Sequence, residues 1–151
     1  MGIFSIFKKP PKVHDRVFGE LTLTSFKNKK SNFFEGKGIF KITNEEVGFL
    51  IEADDALPTE AQFLFYEKVT AHYDEIIKKA IPLITAEFSN WIKDFKIVDF
   101  NKEFTLDCIT IPHQDVKPLI WDIDFTTIYD RNHWIRIGLI DFEPTNVHVD
   151  G

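Results

Sequence analysis

The clearest signal along the chain is a switch in hydrophobic period, from two to about three and a half and back to two. From Val17 to Phe26 (VFGELTLTSF), Leu21 and Leu23 alternate with Glu20, Thr22 and Thr24, the pattern of a half-buried strand. Lys27 to Asn32 is a polar, basic turn. Phe33 to Thr43 predicts a second strand, in which Gly36 and Gly38 imply a bulge or a close approach of neighbouring backbone. Asn44 to Glu46 form a turn and Val47 to Ala53 a third strand, so the first part is an antiparallel meander.

The period changes after Asp54. Thr59 and Gln62 have the spacing of a capping box. Beyond them Phe65, Val69, Tyr73, Ile76, Ile77, Ala80, Ile84, Phe88 and Trp91 recur every three or four residues. Glu67, Lys68, Asp74, Glu75, Lys78 and Lys79 occupy the other side, so this is one long amphipathic helix. Pro82 lies inside it and predicts a bend or break near Lys78 to Ile81. Alternation returns in Glu103 to Ile111, Leu119 to Tyr129 and His133 to Phe142. The predicted fold is α+β, in the order β-β-β-α-β-β-β. The helix lies on one face of an antiparallel sheet, or is shared by two small sheets. Residues 1–13 are expected to be an N-terminal arm and 14–151 one domain.

Composition supports a folded core. Of 151 residues, 44% are hydrophobic and 28% charged, and 16 are Phe. The one cysteine, Cys108, excludes an intramolecular disulfide and, with no secretory signal, implies a cytoplasmic protein. A net charge of −6 argues against nucleic acid as a partner and suits a basic protein. The arm MGIFSIFKKPP carries Ile3, Phe4, Ile6 and Phe7 before Lys8 and Lys9, which permits membrane contact by residues 1–9. Ile6 stands where myristoylation prefers Ser or Thr. Oligomeric state is not assigned.

Candidate chemistry concentrates near the C-terminal end. Asp122 and Asp124 share one strand face about 7 Å apart, and a hairpin returns Asp130, His133 and Trp134. Such residues suit an acidic and aromatic binding patch, or a small metal-dependent hydrolase in which carboxylates and histidine hold a divalent ion. Trp121, Ile123 and Phe125 complete a core strand, which makes the aspartates its solvated side. His133 equally suits a hydrogen bond to Asp130 that closes the hairpin. The reading favours a non-catalytic domain with no catalytic residue, metal or cofactor. Cys108 alternates with Phe104 and Leu106, so it is expected to face the core and be inert. No phosphate-binding or nucleophile-elbow motif occurs. Asp54 and Asp55 suit the positive end of the helix dipole.

Two motifs, Phe18-Gly19-Glu20-Leu21 and Tyr129-Asp130-x-x-His133-Trp134-Ile135 after Trp121-x-Ile123-x-Phe125, resemble a group of small bacterial domains of unknown function. Members open on an F-G-x-L strand, carry a central amphipathic helix and close on a Y-D-x-x-H hairpin. The resemblance covers Val17 to Gly151 and supplies no catalytic residues. Some relatives resemble immunity proteins that bind and block a bacterial toxin, and this implies an inhibitor of a protein partner.

Overall fold

A computed structural model describes residues 11–54 and 57–150. Eight strands form one sheet in sequence order: β1 (Lys12–Asp15), β2 (Gly19–Thr24), β3 (Phe33–Phe40), β4 (Glu45–Glu52), β5 (Phe104–Ile111), β6 (Ile120–Thr127), β7 (Trp134–Ile140) and β8 (Glu143–Asp150). A helix α1 (Glu60–Phe88) crosses between β4 and β5, and a single turn α2 (Phe100–Glu103) precedes β5. Every neighbouring pair is antiparallel except β4 and β5, which run parallel. Parallel strands cannot be joined by a hairpin, and α1 supplies the crossover that this pair requires.

The expected order is therefore corrected to β-β-β-β-α-β-β-β-β. Both added strands are at the sheet's edges. β1 takes in Lys12 and Val13, which were assigned to the arm. Residues 1–10 and Asp55 lie outside the described residues.

Period-two alternation aims Phe34, Val47, Phe49, Ile51, Trp121, Ile123, Phe125, Ile135, Ile137 and Leu139 at one face, all of them buried. The α1 stripe Phe65, Val69, Tyr73, Ile76, Ala80, Ile84 and Phe88 covers that face. Aromatic contacts knit the layers, with Phe40 against Tyr73 at 5.0 Å and Phe65 against Trp121 at 5.0 Å. Fully burying a side chain of this kind contributes roughly 1.5–3 kcal/mol, so this interface dominates stability.

The capping box forms as expected. Thr59 Oγ1 accepts from the Gln62 N–H at 3.2 Å, and Gln62 Oε1 accepts from the Thr59 N–H at 3.0 Å. Buried Gln62 does more, because its Nε2 donates to Glu52 O at 2.7 Å and Pro112 O at 3.4 Å. One side chain thus ties the helix start to the last residue of β4 and the residue after β5.

The helix does not break at Lys78 to Ile81, and it ends at Phe88 rather than Trp91. Pro82 and Lys78 both lie on the exposed side, where water replaces the hydrogen bond that proline removes. Gly36 and Gly38 form no bulge in the continuous β3–β4 register. The reason for Gly36 is close approach, since a Cβ there would sit 2.4 Å from Leu21 Cδ2 and 2.9 Å from Glu20 O.

Candidate functional site

Because α1 covers one face, the alternate positions of every strand fall on the opposite face, which no helix among the described residues covers. The register lines these residues up in rows across the strands. In one row Lys37 lies beside Gly48, Gly48 beside Cys108, Cys108 beside Asp124, Asp124 beside Arg136 and Arg136 beside His148. In the next, Thr22, Glu35, Leu50 and Thr110 are successive neighbours. Thr110 Oγ1 donates to Asp122 Oδ1 at 2.6 Å and extends that row into β6. The open face is polar across its centre.

Cys108 is on this face, contrary to the expected core position. The register of β5 against β6 shifts between Leu106 and Cys108. Asp107 is the extra residue of that bulge, so Leu106 and Ile109 both face the helix while Cys108 turns outward. The thiol is half-buried there. Desolvation first, then the charges of Asp124, Asp107 and Asp122, push its pKa up to about 12.

Asp122 and Asp124 share this face as predicted, but they are half-buried and engaged rather than simply solvated. Arg136 is the partner that the sequence reading missed. Its Nε donates to Asp124 Oδ1 at 2.8 Å and its Nη2 to Asp124 Oδ2 at 2.9 Å, a bidentate pair. It also lies 3.8 Å from Asp122 and 3.4 Å from Asp150. The hydrogen bonds it donates to Asp124 hold the guanidinium protonated well above its ordinary range, against a smaller opposing cost of burial. One polar position between Ile135 and Ile137 was the available signal, because hairpin pairing places it beside the aspartates.

Asp130 and His133 form a separate pair. Asp130 Oδ2 lies 2.6 Å from His133 Nδ1, and Asp130 Oδ1 accepts from the Asn132 N–H at 3.1 Å. The His133 contact, with that N–H, holds the Asp130 carboxyl below the usual carboxylate range. This is the hairpin-closing arrangement. Trp134, half exposed, turns its indole N–H to Asp107 Oδ2 at 3.2 Å. The proposed constellation is thus divided between Arg136 for the two strand aspartates and the hairpin for Asp130 and His133. Among the described residues no group of three His, Cys, Asp or Glu side chains is placed to hold a metal ion.

An excess of acidic over basic side chains lies on the other half of the face. A hollow of about 730 Å³ opens over β2 to β5, lined by Glu20, Glu35, Glu46, Asp107, Lys37, Leu50 and Cys108, with Gly48 among its lining. Lys12 reaches Glu20 at 2.7 Å and Lys37 reaches Glu46 at 3.8 Å. Glu35 has no ion-pair partner among the described residues. Sequence reading missed this cluster because its members come from four strands and meet only through register.

A second carboxylate is internal. Glu103 is buried, and its Oε1 accepts from the N–H groups of Val98 at 2.9 Å and Asp99 at 2.6 Å. Its Oε2 accepts from Tyr129 Oη at 2.8 Å. Desolvation pushes its pKa upward, but the three hydrogen bonds prevail and leave it lowered. This group ties the loop after α1 to the β6–β7 hairpin. Phe18, wholly buried, packs against Phe49, Phe63 and Tyr66, and the Asp130–His133 pair sits in the turn between β6 and β7.

Among the described residues no helix is long and apolar enough to cross a membrane. No family model, curated protein or solved structure matches this chain.

Proposed function

We propose that the chain is a non-catalytic binding domain that holds a basic protein partner against its open sheet face, in the manner of an immunity-type inhibitor. The observation that carries this is the hollow over β2 to β5, where Glu20, Glu35, Glu46 and Asp107 face Lys37 and, at the rim, Lys12. A face with an excess of one charge steers a partner of the opposite charge and rejects like-charged ones. The resemblance of the Phe18–Leu21 and Tyr129–Ile135 motifs to immunity-like domains adds the inhibitory role.

The hydrolase reading needs Asp122, Asp124, Asp130 and His133 to converge on one ion. Their engagement with Arg136 and with each other at the hairpin supports the binding reading instead.

Affinity capture from lysate with the wild-type chain and with Glu35→Lys/Glu46→Lys tests the proposal. Both side chains are exposed, so the variant keeps its fold. The expected result is a defined basic protein retained by the wild type, lost from the variant, and released as salt rises. Purified chain then inhibits that protein's activity. Identical captured proteins for both baits at low and moderate salt overturn the proposal.

A further inference from the structure

A second concavity lies beside α1 and shares no lining residue with the hollow on the open face. Its volume is about 290 Å³, close to the lower limit for small-molecule sites. One wall is a stripe of α1. Glu60, Phe63, Glu67 and Thr70 follow one another at steps of three, four and three residues, which sets them on one side of the helix. The other wall is the turn between β1 and β2 together with the end of β3, and it presents Arg16, Val17, Ile39 and Lys41.

The walls therefore carry opposite charge, carboxylates on the helix and cations on the strand side. Among the described residues, none of these four charged groups takes part in an ion pair. Opposite charges that line one groove without pairing keep their hydrogen-bonding capacity for a third party.

Arg16 is the most constrained of the four. Asp15 Oδ1 accepts from the Val17 N–H at 2.7 Å and the Phe18 N–H at 2.9 Å, which fixes the turn around it. The Arg16 guanidinium carbon lies 5.8 Å from the centre of the Phe63 ring. Phe63 in turn stacks on wholly buried Phe18 at 5.4 Å, with 12° between the rings. A guanidinium held on an aromatic stack keeps its planar fork of donors in place, and the complement of that fork is a carboxylate. Apolar surface adjoins it, because Val17 and Ile39 are both exposed.

An anion alone is repelled by Glu60 and Glu67, and an amine alone by Arg16 and Lys41. A ligand that bears both charges on a small apolar body satisfies both walls. We infer that this groove is a binding site for a small apolar zwitterion of the α-amino acid class. Arg16, with Lys41, takes the carboxylate, Glu60 and Glu67 take the ammonium group, and Val17, Ile39 and Phe63 cover the side chain. The inference is independent of the protein-binding proposal, since it uses no residue of the hollow.

Titration of the full chain followed by amide NMR tests it, with three probes: L-phenylalanine, its amide, which lacks the carboxylate, and N-acetyl-L-phenylalanine, which lacks the ammonium group. L-Phenylalanine is expected to shift the signals of Val17, Ile39 and Phe63 at concentrations up to about 10 mM. Each truncated probe is expected to bind at least about tenfold more weakly, the loss of one charge-assisted hydrogen-bonded contact. Arg16→Gln is expected to weaken L-phenylalanine by a similar factor and to leave the amide unaffected. Glu67→Gln is expected to weaken L-phenylalanine and to leave the N-acetyl probe unaffected. Both side chains are exposed, and the dispersion of each variant's spectrum checks its fold. No shift at the groove overturns the inference, as does equal binding of the three probes or unchanged binding of L-phenylalanine by either variant. Tighter binding of the amide or of the N-acetyl probe marks a peptide terminus as the ligand and also overturns it.

Discussion

Gln62 offers the most direct test of how the two halves of the sheet are held. It is 2% exposed, and its side chain hydrogen-bonds three backbone groups, Thr59 N, Glu52 O and Pro112 O, besides the Thr59 hydroxyl. Gln62→Leu keeps the volume and the Thr59 cap but leaves these backbone groups without their partner inside the protein. An unsatisfied buried group costs about 1–3 kcal/mol, so a total near 3 kcal/mol is expected, with the 2.7 Å bond to Glu52 O contributing most. In a chain of this size that corresponds to a fall in Tm of roughly 6–12 °C. Gln62→Glu separates the donor from the shape. At pH 7 the introduced carboxylate faces two carbonyl oxygens in a dry site, and its folded-state pKa rises above the unfolded value of about 4.3. Below that unfolded value both states hold the proton, and the carboxylic acid donates to Glu52 O. The deficit of Gln62→Glu relative to wild type is therefore small below about pH 4 and grows as pH rises through the folded pKa. Urea titrations of the three proteins at pH 7 and pH 4 provide the measurement. A Gln62→Leu variant within about 0.5 kcal/mol of wild type, or a Gln62→Glu deficit that ignores pH, refutes the reasoning.

Glu103→Gln replaces the oxygen that accepts from Tyr129 with a donor and costs about 1–2 kcal/mol at pH 7. Because the folded pKa of Glu103 is lowered, its contribution is present above the unfolded pKa and is lost as pH falls through the folded value. The difference between variant and wild type in urea thus shrinks at low pH. Gly36→Ala pushes a methyl group into Leu21 and the Glu20 carbonyl, so thermal unfolding is expected to show a loss of about 1–3 kcal/mol. Cys108, with its pKa pushed up to about 12, is expected to resist a thiol-disulfide reagent at pH 8 in the native protein and to react at once in denaturant. Rapid labelling of the folded chain contradicts that environment.

Much of the fold was legible where one local rule acted alone. Thr59 and Gln62 are three residues apart, and the helix they start follows from the stripe beyond them. Trp121, Ile123 and Phe125 define their strand's buried face by alternation. What escaped depended on neighbours distant in sequence or on a broken rule. β1 is four residues with one apolar side chain, and β8 begins Glu143-Pro144-Thr145-Asn146, a run with turn-like composition. Both are edge strands, where Pro is tolerated and burial is slight. Alternation put Cys108 on the wrong face because one bulged residue exchanges the faces beyond it. In the candidate site, Asp122 and Asp124 were visible as a same-face pair. Arg136 and the four-carboxylate hollow needed the register of strands that no local window contains.

The parallel contact between β4 and β5 has a consequence for how the molecule assembles. Each group of four strands is a leaf whose pairings link consecutive segments through turns or loops of at most eight residues. Hairpins of this kind close in roughly 1–10 µs. The seam between the leaves joins Gly48 to Cys108 across the whole helix and its loops, so its closure carries most of the entropic delay. The slow step of assembly is therefore expected to be the meeting of the two leaves on the greasy side of α1, with the seam at the centre of the sheet closing late.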